Sequence, residues 1–331
     1  MKAIIPVAGA GTKLRPHTYT QPKALIPLAG KTILSFIIDQ LSAAGIREFV
    51  FVIGYLGEKI KDFVEDKYPD LSFGFVEQKS RLGIGHAISL TRPLINEEQP
   101  LLIVLGDTIC DFDIETVMGS PLSTLGVKKV EDPRSFGIAE LDDSGRVLAL
   151  VEKPMIPKSN MALVGLYKIN ETKMMFDVME EHISKGVVEE NAYSLTDALQ
   201  GMVDKGVEFD TFKVQQWFDC GRKETLLETN ATLLKKVSAI HDQYPQFENT
   251  IIVPPVSITE GCVITNSIIG PNVTIGESTT INSSIIRDSI IGSFAKLEEV
   301  VLYNSLIGSD AYVHGFRQSL NIGDNTEIDL G

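Results

Sequence analysis

Cysteine and tryptophan are scarce: 331 residues include only Cys110, Cys220, Cys262 and a single tryptophan. The cysteines are odd in number, far apart and without any C-x-x-C spacing, so no disulfide framework or cysteine zinc site is expected. Long apolar runs are also missing. Leu101–Leu105 is typical of the longest, against the ~18 residues of a membrane span. The opening MKAIIPVAGAG is too short and too broken by glycine for a secretory signal. Basic charge is sparse: 30 Lys and Arg against 44 Asp and Glu give a net charge of −14. That balance argues against nucleic acid or an anionic membrane as a partner, since both need a basic surface. Phosphate groups could be held only by a local cluster of cations, backbone N–H groups or a metal. The expectation is a soluble, cytoplasmic chain, and at ~100–200 residues per domain its length suits two domains.

What is present changes character near residue 250. From Lys2 to Val104, runs rich in Val, Ile and Phe alternate with amphipathic stretches. Strands are predicted at Ala3–Val7, Phe49–Ile53, Leu71–Val76 and Leu101–Leu105, and helices at Ile33–Ala44, Glu58–Tyr68 and His86–Leu94. This βαβ alternation predicts a doubly wound α/β sheet, mostly parallel here and less regular over 108–215, so mixed overall. Ligands of such sheets sit at the carboxyl ends of the strands. A connecting helix is predicted over Glu224–Val237. The expected domains are 1–235, a linker 236–249, and 250–331.

In the last segment Ile-Gly recurs at 269–270, 275–276, 291–292, 307–308 and 322–323, and aliphatic residues fall every five or six positions. That period fits neither a helix nor a simple strand. It suits a three-sided solenoid of four to five coils, with one aliphatic per face inside and glycine or asparagine at the corners. The stretch resembles the hexapeptide repeats of left-handed parallel β-helices.

The first strand runs into Ala8-Gly9-Ala10-Gly11-Thr12-Lys13-Leu14-Arg15-Pro16, with Pro22-Lys23 shortly after. Small residues after a buried strand let backbone N–H groups approach phosphates closely. The dinucleotide fingerprint is excluded because Leu14 stands where a third glycine belongs, and Lys13 has no Walker frame.

The longer string IIPVAGAGTKLRPHTYTQPKALIPLAGKTIL resembles the signature of the sugar-phosphate nucleotidyltransferases. EQKSRLGIGHAI, LGD, FGI, EKP, VGLY, LTDAL and WFDCG follow in that family's order, up to about residue 235. The resemblance implies a Rossmann-like catalytic domain and an Mg²⁺-dependent reaction of a nucleoside triphosphate with a sugar 1-phosphate. By the same resemblance, Lys13 grips the triphosphate, in place of the family's usual arginine, and Lys23 contacts the α-phosphate and the sugar phosphate. Asp107 and Asp219 would hold the metal, a hard cation suited to carboxylate oxygens. Ala8, Gly9, Gly11, Thr12, Gln78 and Gly83 would bind the nucleotide, with the Gln78 amide both donating to and accepting from a pyrimidine edge. Gly137, Glu152, Lys153 and Gly165 would line the sugar pocket.

Within this family the sequence is most like glucose-1-phosphate thymidylyl- or uridylyltransferases. Mannose-1-phosphate guanylyltransferase is the alternative enzyme, and a regulatory paralogue that binds without turnover is the alternative outside catalysis. Many relatives carry glutamate where Ala192 stands, and some carry arginine where Glu190 stands, which bears on sugar identity. His86 is read as structural, because the reaction needs no proton shuttle. His314 lacks a recognisable partner for acyl transfer and is read as a contact or brace. Repeats of this kind often drive homo-oligomers, the expectation here, although four to five coils with few charges could equally pack on their own catalytic domain.

Overall fold

The structure, a computed structural model, describes residues 1–186, 192–238 and 244–315. Glu189, Glu190, Asn191 and the Ile322-Gly323 dipeptide lie outside the described residues. The chain divides into two compact units, residues 1–26 with 31–226 and residues 27–30 with 227–331.

The first unit holds β1 (Lys2–Pro6), α1 (Ile33–Ala43), β2 (Glu48–Ile53), α2 (Gly57–Lys67), β3 (Ser72–Glu77), α3 (Ile84–Ser89) and β4 (Leu101–Val104). Next come β5 (Thr108–Asp111), α4 (Ile114–Gly119), β6 (Ser123–Lys129), β7 (Ile138–Leu141), β8 (Val147–Val151) and β9 (Met161–Ile169). The unit continues with α5 (Thr172–Lys185), α6 (Leu195–Asp204), β10 (Phe209–Lys213) and β11 (Gln216–Asp219). α7 (Lys223–Ser238) follows, and the division between units falls within it.

The nine-stranded sheet runs β8-β7-β9-β4-β1-β2-β3, with β6 and β10 branching from β9. β4, β1, β2 and β3 are parallel, whereas β9 is antiparallel to β4, β6 and β7. The sheet is therefore mixed, as expected. Periodicity placed the early elements to within about two residues, because each is apolar where it is buried. α1, for instance, buries Ile33, Leu34, Ile37, Ile38 and Leu41, and the Thr32 hydroxyl caps it by accepting from Ser35 N at 3.1 Å. The helix expected over His86–Leu94 instead ends at Ser89 and is followed by a 3-10 turn at Arg92–Leu94. Pro93 cannot donate to a continuing helix. Phe49, Phe51, Phe73 and Phe75 pack across β2 and β3, with ring centroids 5.8–6.4 Å apart.

In the second unit, short strands form three parallel four-stranded sheets, the faces of a short β-helix of the left-handed hexapeptide class. Ile264, Ile281, Leu297 and Val313 stack in register on one face, and Ile258, Ile275, Ile291 and Ile307 on another. Ile269, Ile286 and Leu302 stack on the third, and all three columns meet in one core. The left-handed corners are mostly not glycine: Asn249, Asn266, Ser283 and Glu299 form one column, and Asn272, Asp288 and Asn304 another. The recurring Gly276 and Gly292 serve close packing instead. A Cβ there would lie 2.5 and 2.4 Å from the backbone N of Ser293 and Ser309 on the next coil.

Of the expected linker, 236–238 continue α7, 239–243 are not described, and Tyr244 and Phe247 pack against the β-helix core. His314 is exposed and lies opposite Glu298, Nδ1 to Oε2 at 3.7 Å, in a cross-strand cluster with Lys296 and Tyr312.

Candidate active site

β1 lies between β2, which follows it through α1, and β4, which joins on its other side. The strand order reverses there, so the carboxyl ends of β1 and β4 open a crevice, where doubly wound sheets bind ligands. The glycine-rich loop leaves β1 at this point, and Leu105-Gly106-Asp107 leaves β4. The cleft has a volume of about 630 Å³, and Ala8, Gly9, Gly11, Thr12, Lys13, Lys23, Gln78, Gly83, Asp107 and Asp219 all line it.

Lys23 begins a 3-10 turn, and its Nζ donates to Asp107 Oδ2 at 2.5 Å. Asp219 reaches the same place through a two-stranded ribbon. It ends β11, which pairs antiparallel with β5 and sets Asp219 opposite Thr108. Cys220 N then donates to Asp107 O at 3.3 Å. Gly83 has a φ of +98°, and a Cβ there would lie 2.4 Å from Tyr193 O and 2.7 Å from Tyr193 N. The loop can therefore close on Tyr193 only with glycine at this position.

A second cavity of about 780 Å³ shares Gly83, Ile84, Leu105, Asp107, Ala192 and Asp219 with the cleft. The two spaces thus adjoin at the aspartates. Gly137, Glu152 and Lys153, three of the four residues expected around a sugar, line the second cavity. Glu152 Oε2 accepts from Thr196 Oγ1 at 2.6 Å, while Oε1 lies 3.6 Å from Lys153 Nζ. Lys153 adopts a φ of +36°, a strained conformation for lysine. Gly165 departs from its expected place. It lies behind the wall, where its carbonyl accepts from Leu105 N at 2.9 Å and a Cβ would strike the Leu105 side chain at 2.8 Å.

Several lining residues escaped the sequence reading. Arg81 adds a cation to the first cleft but belongs to no phosphate motif. Ser194 caps α6, and Thr196 in its first turn holds Glu152. Trp217 lines the second cavity edge-on to Phe136, with centroids 4.9 Å apart, and its buried Nε1 has no hydrogen-bond partner. Tyr167 also lines this cavity, and burial, then the charge of Glu152, push its phenol above the ordinary pKa. Ala192, where many relatives carry glutamate, lines both spaces.

Two carboxylates from neighbouring positions at one end of the ribbon, beside a cleft with two lysines, fit a hard cation shared with phosphate oxygens. Among the described residues no three metal-ligating side chains cluster, so phosphate or water would supply the remaining ligands.

The sequence matches the family described as Nucleotidyl transferase over residues 2–236. It is 29% identical to a glucose-1-phosphate thymidylyltransferase of Streptomyces antibioticus, over 99% of this chain and 93% of that protein. It is 30% identical to the Streptomyces griseus protein of the same name, over 95% and 93%. The fold matches a crystal structure of UDP-glucose pyrophosphorylase complexed with UDP-glucose. The TM-score is 0.61 and the identity 25%, over 71% of this chain and 98% of that one. Among the described residues, no helix is long and apolar enough to cross a membrane. The chain belongs to the nucleotidyl transferase family and is a nucleotidyltransferase enzyme.

Proposed function

We propose that the enzyme joins the nucleotidyl group of dTTP or UTP to a sugar 1-phosphate, glucose 1-phosphate foremost, with release of pyrophosphate. The observation that carries this reading is the meeting of the two cavities at Asp107 and Asp219. One cavity brings small residues, backbone N–H groups and lysines for a triphosphate. The other brings a carboxylate and a phenol suited to sugar hydroxyls.

In the reaction a phosphate oxygen of the sugar 1-phosphate attacks the α-phosphorus in line, and the bond to the bridging oxygen of pyrophosphate breaks. No covalent enzyme intermediate or proton shuttle is required, so catalysis rests on positioning and charge neutralisation. Lys13 draws in the β- and γ-phosphates as a point charge, without the two-pronged grip of an arginine. Lys23 leaves Asp107 for the α-phosphate and the incoming sugar phosphate, holding both at the junction. Asp107 and Asp219 would together hold Mg²⁺, which when bound neutralises charge on the triphosphate. Glu152, oriented by Thr196, accepts from a sugar hydroxyl.

The reading extends to self-association through the β-helix. It is supported by an in-register outer column of Ile251, Ile268, Ile285 and Val301, all at least 37% exposed. Sedimentation velocity tests it, a monomer at micromolar concentration being the contrary result. A cytoplasmic location belongs to the same reading. Pyrophosphate release across a panel of triphosphates and sugar 1-phosphates tests the proposed reaction itself.

A further inference from the structure

Gln78 lies one residue past β3, where its backbone N–H donates to Ile53 O at 2.8 Å. The residue is 9% exposed. Its amide nitrogen stands 3.0 Å from Gly83 O and 3.1 Å from His86 Nδ1. A backbone carbonyl can only accept, so Gly83 decides which end of the amide is nitrogen. His86 Nδ1 must then accept as well, because an amide NH₂ has no lone pair to offer. Both N–H bonds are thereby used within the protein. Oε1, to which no described residue donates, is the polar atom left for a ligand.

We infer that His86 is a positioning residue for Gln78: by taking its second amide proton it makes Gln78 an acceptor only, so the cleft requires an N–H on the base edge at that point, a requirement that uracil and thymine meet with the imide N3–H. The inference rests on the nucleotide reading of the cleft, and it replaces the expectation that this amide both donates and accepts. Burial holds the His86 ring below the ordinary imidazole pKa, which keeps it neutral and able to accept. Tyr193 packs against the ring with centroids 6.5 Å apart. Tyr193 is in turn fastened to the loop by Gly85 N to Tyr193 O at 2.8 Å and Tyr193 N to Leu82 O at 2.7 Å. The device thus joins β3, the glycine loop and α3 around a single amide.

The test has two arms. In the full-length protein labelled with ¹⁵N-histidine, the His86 signal is assigned by its loss in His86→Asn. It should report a neutral ring with the proton on Nε2 and a bare Nδ1. A proton on Nδ1 of the unliganded protein reverses the amide and overturns the inference, whatever the substrates prove to be.

The second arm compares UTP with N3-methyl-UTP in steady-state kinetics. His86→Leu should raise KM for UTP about tenfold, the effect of one lost hydrogen bond, with the loss falling on KM rather than kcat. His86→Asn, whose Oδ1 can stand in for Nδ1 as acceptor, should recover most of that loss. Wild type should discriminate against N3-methyl-UTP more strongly than His86→Leu does. Equal KM values for wild type and His86→Leu overturn the role of His86 and leave the base contact standing. Wild-type use of N3-methyl-UTP as readily as UTP overturns the N–H edge itself. Inactivity with every triphosphate defeats the proposed reaction, and the first arm still decides the contact between His86 and Gln78.

Discussion

Lys23 and Asp107, 84 residues apart in sequence, form a 2.5 Å ion pair at the point where the two cavities adjoin. The Asp107 side chain is 41% exposed. The Lys23 side chain is 16% exposed, so the pair is half-buried and solvent reaches it from the carboxylate side. Incoming phosphate offers Lys23 a replacement anion. The pair keeps the lysine pre-positioned beside the reacting centre while the carboxylate remains available to a cation.

Replacing either partner should therefore harm turnover far more than folding. Asp107→Asn and Lys23→Met should each lower kcat at least ~10²-fold, the scale of losing one electrostatic stabiliser, with an unchanged unfolding midpoint. Chelation with EDTA should abolish the wild-type activity, and added Mg²⁺ should restore it. Asp107→Asn with wild-type, Mg²⁺-dependent turnover would remove the metal assignment.

Glu152 and Thr196 offer a second, separable prediction. The 2.6 Å bond between them orients the carboxylate in the sugar cavity. Glu152→Gln and Thr196→Val should raise KM for the sugar 1-phosphate about tenfold and leave KM for the triphosphate within about twofold. A change confined to the triphosphate KM would place Glu152 on the wrong side of the junction.

How far these features could be read in advance differs from residue to residue. Ala3–Val7 and Ile33–Ala44 were legible because a strand or helix buried on a fixed period writes that period into its apolar residues; the observed bounds are Lys2–Pro6 and Ile33–Ala43. The union of Asp107 with Asp219 was not legible from spacing, because it depends on the β5–β11 ribbon, and only family resemblance pointed to it. The β-helix showed in its aliphatic spacing, yet its repeated glycines suggested corners when Gly276 and Gly292 answer to the next coil's backbone. The polarity of Gln78 depends on where the Gly83 carbonyl points, which no residue type records.

Burial makes a chemical prediction for the ribbon. It pushes the Cys110 thiol up to about 12, with Lys128 opposing the rise and Cys220 adding to it. Almost none is thiolate at pH 8, and the thiolate is the reactive form. Iodoacetamide should leave Cys110 unmodified in the native enzyme and label it fully in denaturant, as read by peptide mass spectrometry. Rapid native labelling would mean that the ribbon opens in solution.

In the second unit, Asn230 is fully buried. Its Oδ1 accepts from Ala29 N at 2.9 Å and from Thr274 Oγ1 at 2.7 Å, and its Nδ2 donates to Asn272 O at 3.2 Å. Asn230→Ala strands these partners away from water and should cost ~1–3 kcal/mol in urea denaturation. Loss below ~0.5 kcal/mol would show that water replaces the amide.

The most direct measurement is pyrophosphate release with Mg²⁺, crossing ATP, GTP, CTP, UTP and dTTP with the 1-phosphates of glucose, mannose, galactose and N-acetylglucosamine. Activity with dTTP or UTP and glucose 1-phosphate is the expected result. A GTP and mannose 1-phosphate signal would keep the chemistry but contradict the base assignment. Silence from folded protein that still binds nucleotide would contradict the central claim that Asp107, Asp219 and Lys23 catalyse nucleotidyl transfer.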